Sequence, residues 1–435
     1  MLSQIGAGFG TATAGALMLF ALYATVKTRG GALRALPKTI RLFQKSTEDH
    51  GQISSFRAFA TSLAGTIGVG NMTGVALAIT LGGPGAVFWM WISALLCLSV
   101  KQFEIYLAQK EQPKEEETYG IAPMIYIKKA TESNGFAALF AIFGLFSALT
   151  MGSMIQTSAA ATAANEAFFL PSWTTAALFA LGVCLSLSGG IGRRMKSLEK
   201  TLPVLGLAFL LIASVVLIFR YRQILPALKE IFTNAFSLSS ATGGFLGSGF
   251  ALAFRHGVGN GLFSHEAGLG SAGLAHGACK TDPKEQSLWG IFEVFFDTAV
   301  ISTLCALMML TTEEGPPYGV LAAVYTVMGP LGRGLIALCL LLFAFLSVLS
   351  WSYYGECCFF WLAGGTNIGI YRLLYCISPL LALLADESTL WASAEIINGG
   401  MMVFNLTALV GFRDELNNLY PKKQKHPSKK RMPIP

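Results

Sequence analysis

Charge is scarce in this chain. Only 13% of its 435 residues are Asp, Glu, Lys or Arg, about half the share typical of a soluble domain. Long polar stretches are also missing, and nothing between the apolar runs is long enough to build a second, soluble domain. That removes most classes of soluble enzyme. Cysteine pairs at metal-binding spacing are absent. The eight cysteines (Cys97, Cys184, Cys279, Cys305, Cys339, Cys357, Cys358 and Cys376) lie mostly within apolar runs, without a CxxC pair or a Cys/His cluster. This argues against structural zinc and against a disulfide framework. The N-terminus lacks the basic region and cleavage site of a signal peptide, so residues 7–26 read as a retained helix.

What is present is hydrophobicity, 53% of residues, in runs of membrane-crossing length. Eleven windows qualify as spans 1 to 11: 7–26, 54–81, 84–109, 136–168, 173–190, 201–219, 241–279, 286–311, 331–362, 367–385 and 389–412. Segments 119–131 and 222–235 are short and amphipathic, and read as helices lying at the interface, or else as ordinary loops. The net charge of +7 is concentrated in two places. Lys27, Arg29, Arg34, Lys38, Arg41 and Lys45 fill one loop; Lys422, Lys423, Lys425, Lys429, Lys430 and Arg431 fill the tail. No aromatic series interleaves them to stack bases, so no nucleic-acid partner is expected. Basic loops stay cytoplasmic. With the 27–53 loop inside, Arg193, Arg194, Lys196 and Lys200 also fall inside, while Glu313-Glu314 and Asp386-Glu387 fall outside. An odd span count then puts the N-terminus outside and the C-terminus in the cytoplasm of a bacterial inner membrane.

Two spans are rich in glycine, which weakens a helix interior by about 1 kcal/mol per position. Span 2 holds Gly65, Gly68, Gly70 and Gly74; span 7 holds Gly257, Gly259, Gly261, Gly268, Gly270 and Gly273. These runs predict unwinding in mid-membrane. The tetrapeptide Gly-Val-Gly-Asn occurs in both, at Gly68–Asn71 and Gly257–Asn260, 189 residues and five spans apart. An odd offset makes the second copy enter from the opposite side, as an inverted repeat requires. Paired broken helices mark a transporter site at the repeat interface. The competing explanation is that small residues merely allow helices to pack closely. Unwound N–H groups at a half-helix start suit a carboxylate, and freed carbonyls suit a bare cation.

At these residues the chain resembles the alanine or glycine:cation symporter family. The most specific stretches are Gly68-Val-Gly-Asn-Met-Thr-Gly-Val-Ala-Leu-Ala-Ile79 with Gly82-Gly-Pro-Gly85, and Gly261-Leu-Phe-Ser-His-Glu-Ala-Gly-Leu-Gly-Ser-Ala272 with Ala275-His276. Gly152-Ser-Met-Ile-Gln156, Trp351-Ser-Tyr-Tyr-Gly-Glu356 and Asn405-Leu406 add to it. The resemblance implies an all-α polytopic membrane protein of about eleven transmembrane helices. Its core would be a leucine-transporter-type 5+5 inverted repeat with one extra N-terminal helix. Residues 1–53 would form that helix and its basic loop, 54–235 and 236–416 the two repeats, and 417–435 the basic tail. The implied function is Na⁺-coupled import of alanine or glycine by alternating access, with no enzyme activity and no cofactor, in a monomer.

Carried over residue by residue, the resemblance implies that Val69, Gly70, Asn71, Gln156, Phe263 and Trp351 bind substrate, with Val69 and Gly70 offering backbone N–H groups to its carboxylate. It places Na⁺ at the carbonyls of Ala64 and Ile67 and the hydroxyl of Ser347. Two positions depart from the family pattern. Val69 stands where threonine is usual, and Leu346-Ser347 supplies one hydroxyl where a Ser-Thr pair is usual. Hard cations prefer oxygen ligands, so proton coupling is the alternative to Na⁺. Glu293 and Asp297 lie four apart on span 8 and are the candidate proton carriers, or else hydrogen-bonded structural carboxylates. Arg255, His256, His265, Glu266 and His276 gather along span 7, where Arg255 or His265 could pair with Glu266 as a gate. Ser264-His265-Glu266 cannot form a catalytic triad, because sequential helix neighbours do not share a face. The rival from another class is a non-transporting amino-acid sensor on the same fold.

Overall fold

The computed structural model describes residues 2–42, 53–112, 119–237, 249–312 and 319–420. Lys45, Glu313-Glu314, the start of span 7 and the tail cations from Lys422 to Arg431 lie outside the described residues. Within them the chain is helical throughout, with no strand. Backbone hydrogen bonds closed within each segment are what a bilayer demands. Seven helices are long and apolar enough to cross a membrane, or eight if the bent pair Ser55–Thr66 and Gly70–Gly82 is one span. Ser172–Ser188 and Ile368–Leu381 are apolar but shorter. Gly249–His265 and Ser271–His276 are the halves of span 7. Each of the eleven expected windows therefore coincides with a helix or a broken helix.

Side chains place the helix ends. Ser54 caps the first half of span 2 by accepting from the Arg57 N–H, and Asp282 caps span 8 by accepting from Lys284 and Glu285, with Pro283 in the first turn. Asp386 caps span 11; hydrogen bonds from the Ser388 and Thr389 hydroxyls hold its carboxylate down to about 2. Span 9 begins sharply at Pro330, because Gly329 takes φ 64° and ψ −156° and ends a separate preceding helix.

Chain direction can be checked from the ends. Spans 1 and 11 run side by side in the same sense. A Cβ at Gly6 would lie 2.9 Å from the Ala392 carbonyl, and at the other end Lys27 Nζ meets Asp414 at 2.9 Å. Parallel neighbours numbered 1 and 11 require an even number of crossings between their starts, as the eleven-span count has.

Three elements differ in detail from the expectations. The helix Ala122–Thr131 packs more deeply than a surface helix would, with Met124, Tyr126 and Ile127 fully buried against neighbouring helices while Lys128 and Lys129 stay exposed. Tyr221–Asn234 keeps the amphipathic form expected, exposing Tyr221, Leu225 and Phe232 while burying Ala227 and Ile231. The basic loop contains a helix, Gly31–Thr39, that the apolar windows did not signal.

The third difference concerns span 7. Its helix runs unbroken through Gly257–Asn260 to His265, and the break lies at Glu266–Gly270, where Gly268 and Gly270 both have φ 88°. The second Gly-Val-Gly-Asn is therefore a packing element. A Cβ on Gly257 would sit 2.3 Å from the Ala86 carbonyl oxygen, and one on Gly261 2.2 Å from Ser93 Oγ. Spaced four apart, the two glycines let span 7 lie directly on span 3. Because the Ala86 contact is backbone and cannot rotate away, Gly257→Ala is expected to cost about 1–3 kcal/mol. Gly259→Ala, with nothing within 4 Å, is expected to be near neutral. Thermal melting of the purified variants in one detergent compares them.

The broken spans pack against each other in antiparallel fashion. The first half of span 7 lies on the second half of span 2, and the second half of span 7 on the first half of span 2.

Candidate functional site

Span 2 stops being helical at Ile67, whose φ −75° and ψ 102° are extended, and resumes at Gly70 in a widened π-helical turn, Gly70–Gly74. The freed N–H groups at the break are occupied from two sides. Gly68 donates to Asn71 Oδ1 at 3.1 Å, and Val69 donates to Gln156 Oε1 at 3.2 Å. Gln156 follows a second widened turn, Thr150–Ile155 in span 4, and a third, Phe295–Ser302 in span 8, carries Asp297. Such turns turn helical side chains off the regular register and are common at functional sites.

Most of the expected substrate residues converge here. A Cβ at Gly68 would lie 2.7 Å from Gln156 Oε1, and one at Gly70 would lie 3.2 Å from Phe263 Cδ1. Phe263 in turn packs on Trp391 with ring centroids 4.7 Å apart. Trp351 is fully buried over Gly152 of span 4, and its indole N–H donates to Glu266 Oε1 at 3.3 Å. Asn71 is the exception. It is expected to bind substrate, but its amide is committed to the protein: Oδ1 accepts from Gly68, and Nδ2 lies 2.8 Å from Asp297 Oδ1 and 2.9 Å from Ser264 Oγ. An amide has only two hydrogens to give, so Asn71 pins the break to spans 7 and 8 instead.

Of the expected cation ligands, one has a direct contact with span 2. Ser347 Oγ donates to the carbonyl of Gly65, which follows Ala64 in the chain, at 2.9 Å, and Ala64, Ile67 and Ser347 are all buried. Ser350, overlooked in the sequence, does the same one turn on, at 2.9 Å from the Thr61 carbonyl. Span 9 therefore offers two hydroxyls to span 2 after all, spaced three apart rather than adjacent. Their i, i+3 spacing was the available signal.

The two span 8 carboxylates have different surroundings. Asp297 Oδ2 accepts from Ser264 and Thr298 at 2.8 and 2.9 Å, and Oδ1 from Asn71; among the described residues no cation lies within ion-pair distance of it. Glu293 faces Lys101 Nζ at 3.6 Å and accepts from Ser62 at 2.8 Å. It also meets His276 Nε2 at 2.7 Å. The tautomer follows from the chain behind it. Trp289 donates to Ser55, Ser55 to Gln286 Oε1, and Gln286 Nε2 therefore to His276 Nδ1, leaving Nε2–H for Glu293. Lys101, a lysine in mid-span, was missed; an intramembrane charge without a named partner should have prompted a search for one.

Span 7's polar residues separate. Glu266 pairs with neither Arg255 nor His265; it accepts from Ser271 Oγ at 2.6 Å and from Trp351. Glu104 and Asn405 hold the break from spans 3 and 11, with Glu104 accepting from Gly270 N–H at 2.9 Å and Asn405 donating to the Gly268 carbonyl at 2.9 Å. Arg255 and His256 instead line a cavity of about 310 Å³ beside Phe263, Trp391 and Glu395. At the opposite end of span 2, Arg57 bonds Glu199 at 2.9 Å and Phe59 stacks on Trp289 at 4.2 Å.

The chain matches the sodium:alanine symporter family over residues 5–432. It is 34% identical to the sodium/alanine symporter AgcS of Methanococcus maripaludis, covering 89% of each chain. It is 30% identical to the probable sodium/glutamine symporter GlnT of Bacillus subtilis, covering 90% of this chain and 84% of that one. Among solved structures, a Na⁺-coupled sialic acid symporter in a substrate-bound outward-open state aligns with TM-score 0.54 at 13% identity, over 97% of this chain and 86% of that one. The Eremococcus coleocola manganese transporter aligns with TM-score 0.52 at 14% identity, over 84% and 78%. Both likenesses bear on the fold alone, which is of the leucine-transporter type. The chain is a multi-pass membrane transporter rather than an enzyme, and it belongs to the sodium:alanine symporter family.

Proposed function

We propose that the chain imports a small neutral amino acid, alanine or glycine in either enantiomer, together with Na⁺ by alternating access. The observation that carries this reading is the break of span 2, where Val69 N–H meets Gln156 and Ser347 meets the Gly65 carbonyl. A carboxylate accepts more strongly than an amide oxygen, so an amino acid would take the Val69 N–H from Gln156, add the Gly70 N–H, and leave the Gln156 side chain to bind it. Phe263 and Trp351 would bound a small side chain. Na⁺ would sit among the Ala64 and Ile67 carbonyls and the Ser347 hydroxyl. In this reading residues 54–235 and 236–416 are the inverted repeats, supported by the crossed packing of the two broken spans. Residues 1–53 and 417–435 lie outside them, with the N-terminus outside, the C-terminus cytoplasmic and the chain a monomer in the inner membrane. The 310 Å³ cavity beside Phe263, together with the Arg57–Glu199 closure at the other end, is an outward-facing arrangement. Of the two span 8 carboxylates, Glu293 has a cation, which leaves Asp297 as the candidate for a proton.

The test is uptake of labelled alanine and glycine into proteoliposomes, with an inward Na⁺ gradient against an equal inward H⁺ gradient. Concentrative uptake driven by Na⁺ supports the proposal. Uptake driven by H⁺ alone would replace Na⁺ as the coupling ion, and none with either ion would favour a sensor. Ser347→Ala is expected to raise the Na⁺ concentration for half-maximal uptake about tenfold or more. An unchanged Na⁺ requirement would remove Ser347 from the cation site.

A further inference from the structure

On the face where spans 1 and 11 both end there is a second cavity, of about 520 Å³. It is bounded by the end of span 1, the helix Gly31–Thr39 and the segment Leu416–Tyr420. Four cations line it: Lys27, Arg29, Arg34 and Lys38. Lys27 is committed to Asp414 and to the Arg413 carbonyl at 2.8 Å. Arg29, Arg34 and Lys38 are exposed, and none has an acidic partner among the described residues. Arg34 and Lys38 are one turn apart, hence on one face of their helix.

The wall between these cations is built rather than loose. Gly30 has φ 68°, which lets the chain reverse out of span 1 directly into the Gly31–Thr39 helix. Tyr420 packs onto Gly31, where a Cβ would lie 2.4 Å from its ring, and its hydroxyl donates to Gln102 at 2.9 Å. The helix buries Ala32, Ala35 and Thr39 in the protein, while Leu33 and Ile40 are 52% and 65% exposed. A helix that shows apolar side chains outward beside a cluster of cations, at the end of a membrane span, belongs at headgroup depth. No side chain caps its N-terminus, which adds partial positive charge to the same place.

We infer that this cavity is a binding site for the phosphate headgroup of an anionic phospholipid. Free phosphate would satisfy the same three cations. The exposed Leu33 and Ile40 favour lipid, because they put the cavity where a headgroup arrives with its acyl chains beside an apolar surface. The volume is within the range of small-ligand sites.

The test is native mass spectrometry of the full chain released from nanodiscs holding equal phosphatidylglycerol and phosphatidylcholine. Preferential retention of phosphatidylglycerol by the wild-type chain is expected. The triple variant Arg29→Gln/Arg34→Gln/Lys38→Gln should retain about tenfold less or lower still. Arg193→Gln/Lys196→Gln, which removes two exposed cations elsewhere, should retain as much as the wild type. Melting in phosphatidylcholine alone checks that the triple variant is folded; if it is not, Arg34→Gln and Lys38→Gln singly should each lower retention. Equal retention of the two lipids, or retention unaffected by the substitutions, would overturn the site. Displacement of the lipid by inorganic phosphate at constant ionic strength would overturn the lipid assignment in favour of a free anion.

Discussion

Lys101→Met is expected to destabilise the folded transporter by about 3–5 kcal/mol, the usual cost of removing one partner from a buried ion pair. Lys101 and Glu293 are 0% and 1% exposed, and their charged atoms are 3.6 Å apart. Without the ammonium group, Glu293 would keep hydrogen bonds from Ser62 and His276 but no opposing charge. The His265 carbonyl, which accepts from Lys101 at 3.0 Å, would lose its donor at the break of span 7. Adding Glu293→Gln should recover most of the loss, since it removes the stranded charge while keeping groups that can hydrogen-bond Ser62 and His276. Melting temperatures of the wild type, both single variants and the double variant close the cycle. A double variant no more stable than Lys101→Met would show that the lysine acts through packing or through the His265 carbonyl, not through the ion pair.

Asp297→Asn is expected to lower transport about 10- to 100-fold, which corresponds to one or two charge-assisted hydrogen bonds at about 1.5–3 kcal/mol each. Asp297 is acceptor-only, and it faces three donors: the Asn71 amide and the hydroxyls of Ser264 and Thr298. An asparagine in its place turns one acceptor into a donor group that opposes one of them. The disturbance reaches the substrate site through Asn71, which sets the Gly68 N–H at the break of span 2. The pH profile separates two roles. If Asp297 only orders the network, the variant is slower at every pH with an unchanged profile. If it carries a proton, the pH dependence of uptake disappears with the carboxylate. A variant with wild-type rate and profile would remove Asp297 from both roles.

These residues mark how far the sequence could be read. Gln156, Phe263 and Trp351 are legible because each sits in a linear stretch that resembles a family, whereas Ser347 comes only from the place the fold gives span 9; Gln156, Phe263 and Ser347 contact span 2. Ser350 and Lys101 carry no such stretch. Their importance comes from what lies opposite them, the Thr61 carbonyl and Glu293, and a partner that distant in the chain leaves no local trace. Glu293 and Asp297 looked alike in sequence, four apart on one helix. A widened turn beginning at Phe295 and a lysine from span 3 made one a paired charge and the other a hydrogen-bond acceptor without a cation.

The sequence by itself determined that the chain is a membrane transporter and where its apolar helices fall, because a bilayer tests each segment separately for length and apolarity. It also located the break of span 2, where glycine and an extended residue weaken the helix locally. Only the tertiary structure decided what the repeated Gly-Val-Gly-Asn means. At Gly68 the chain unwinds because Asn71 and Gln156 accept the N–H groups it frees. At Gly257 the same four residues stay helical, because span 3 lies close enough that glycine serves to fit a neighbouring backbone. A glycine permits both outcomes, and the free energy that selects between them resides in the groups packed against it.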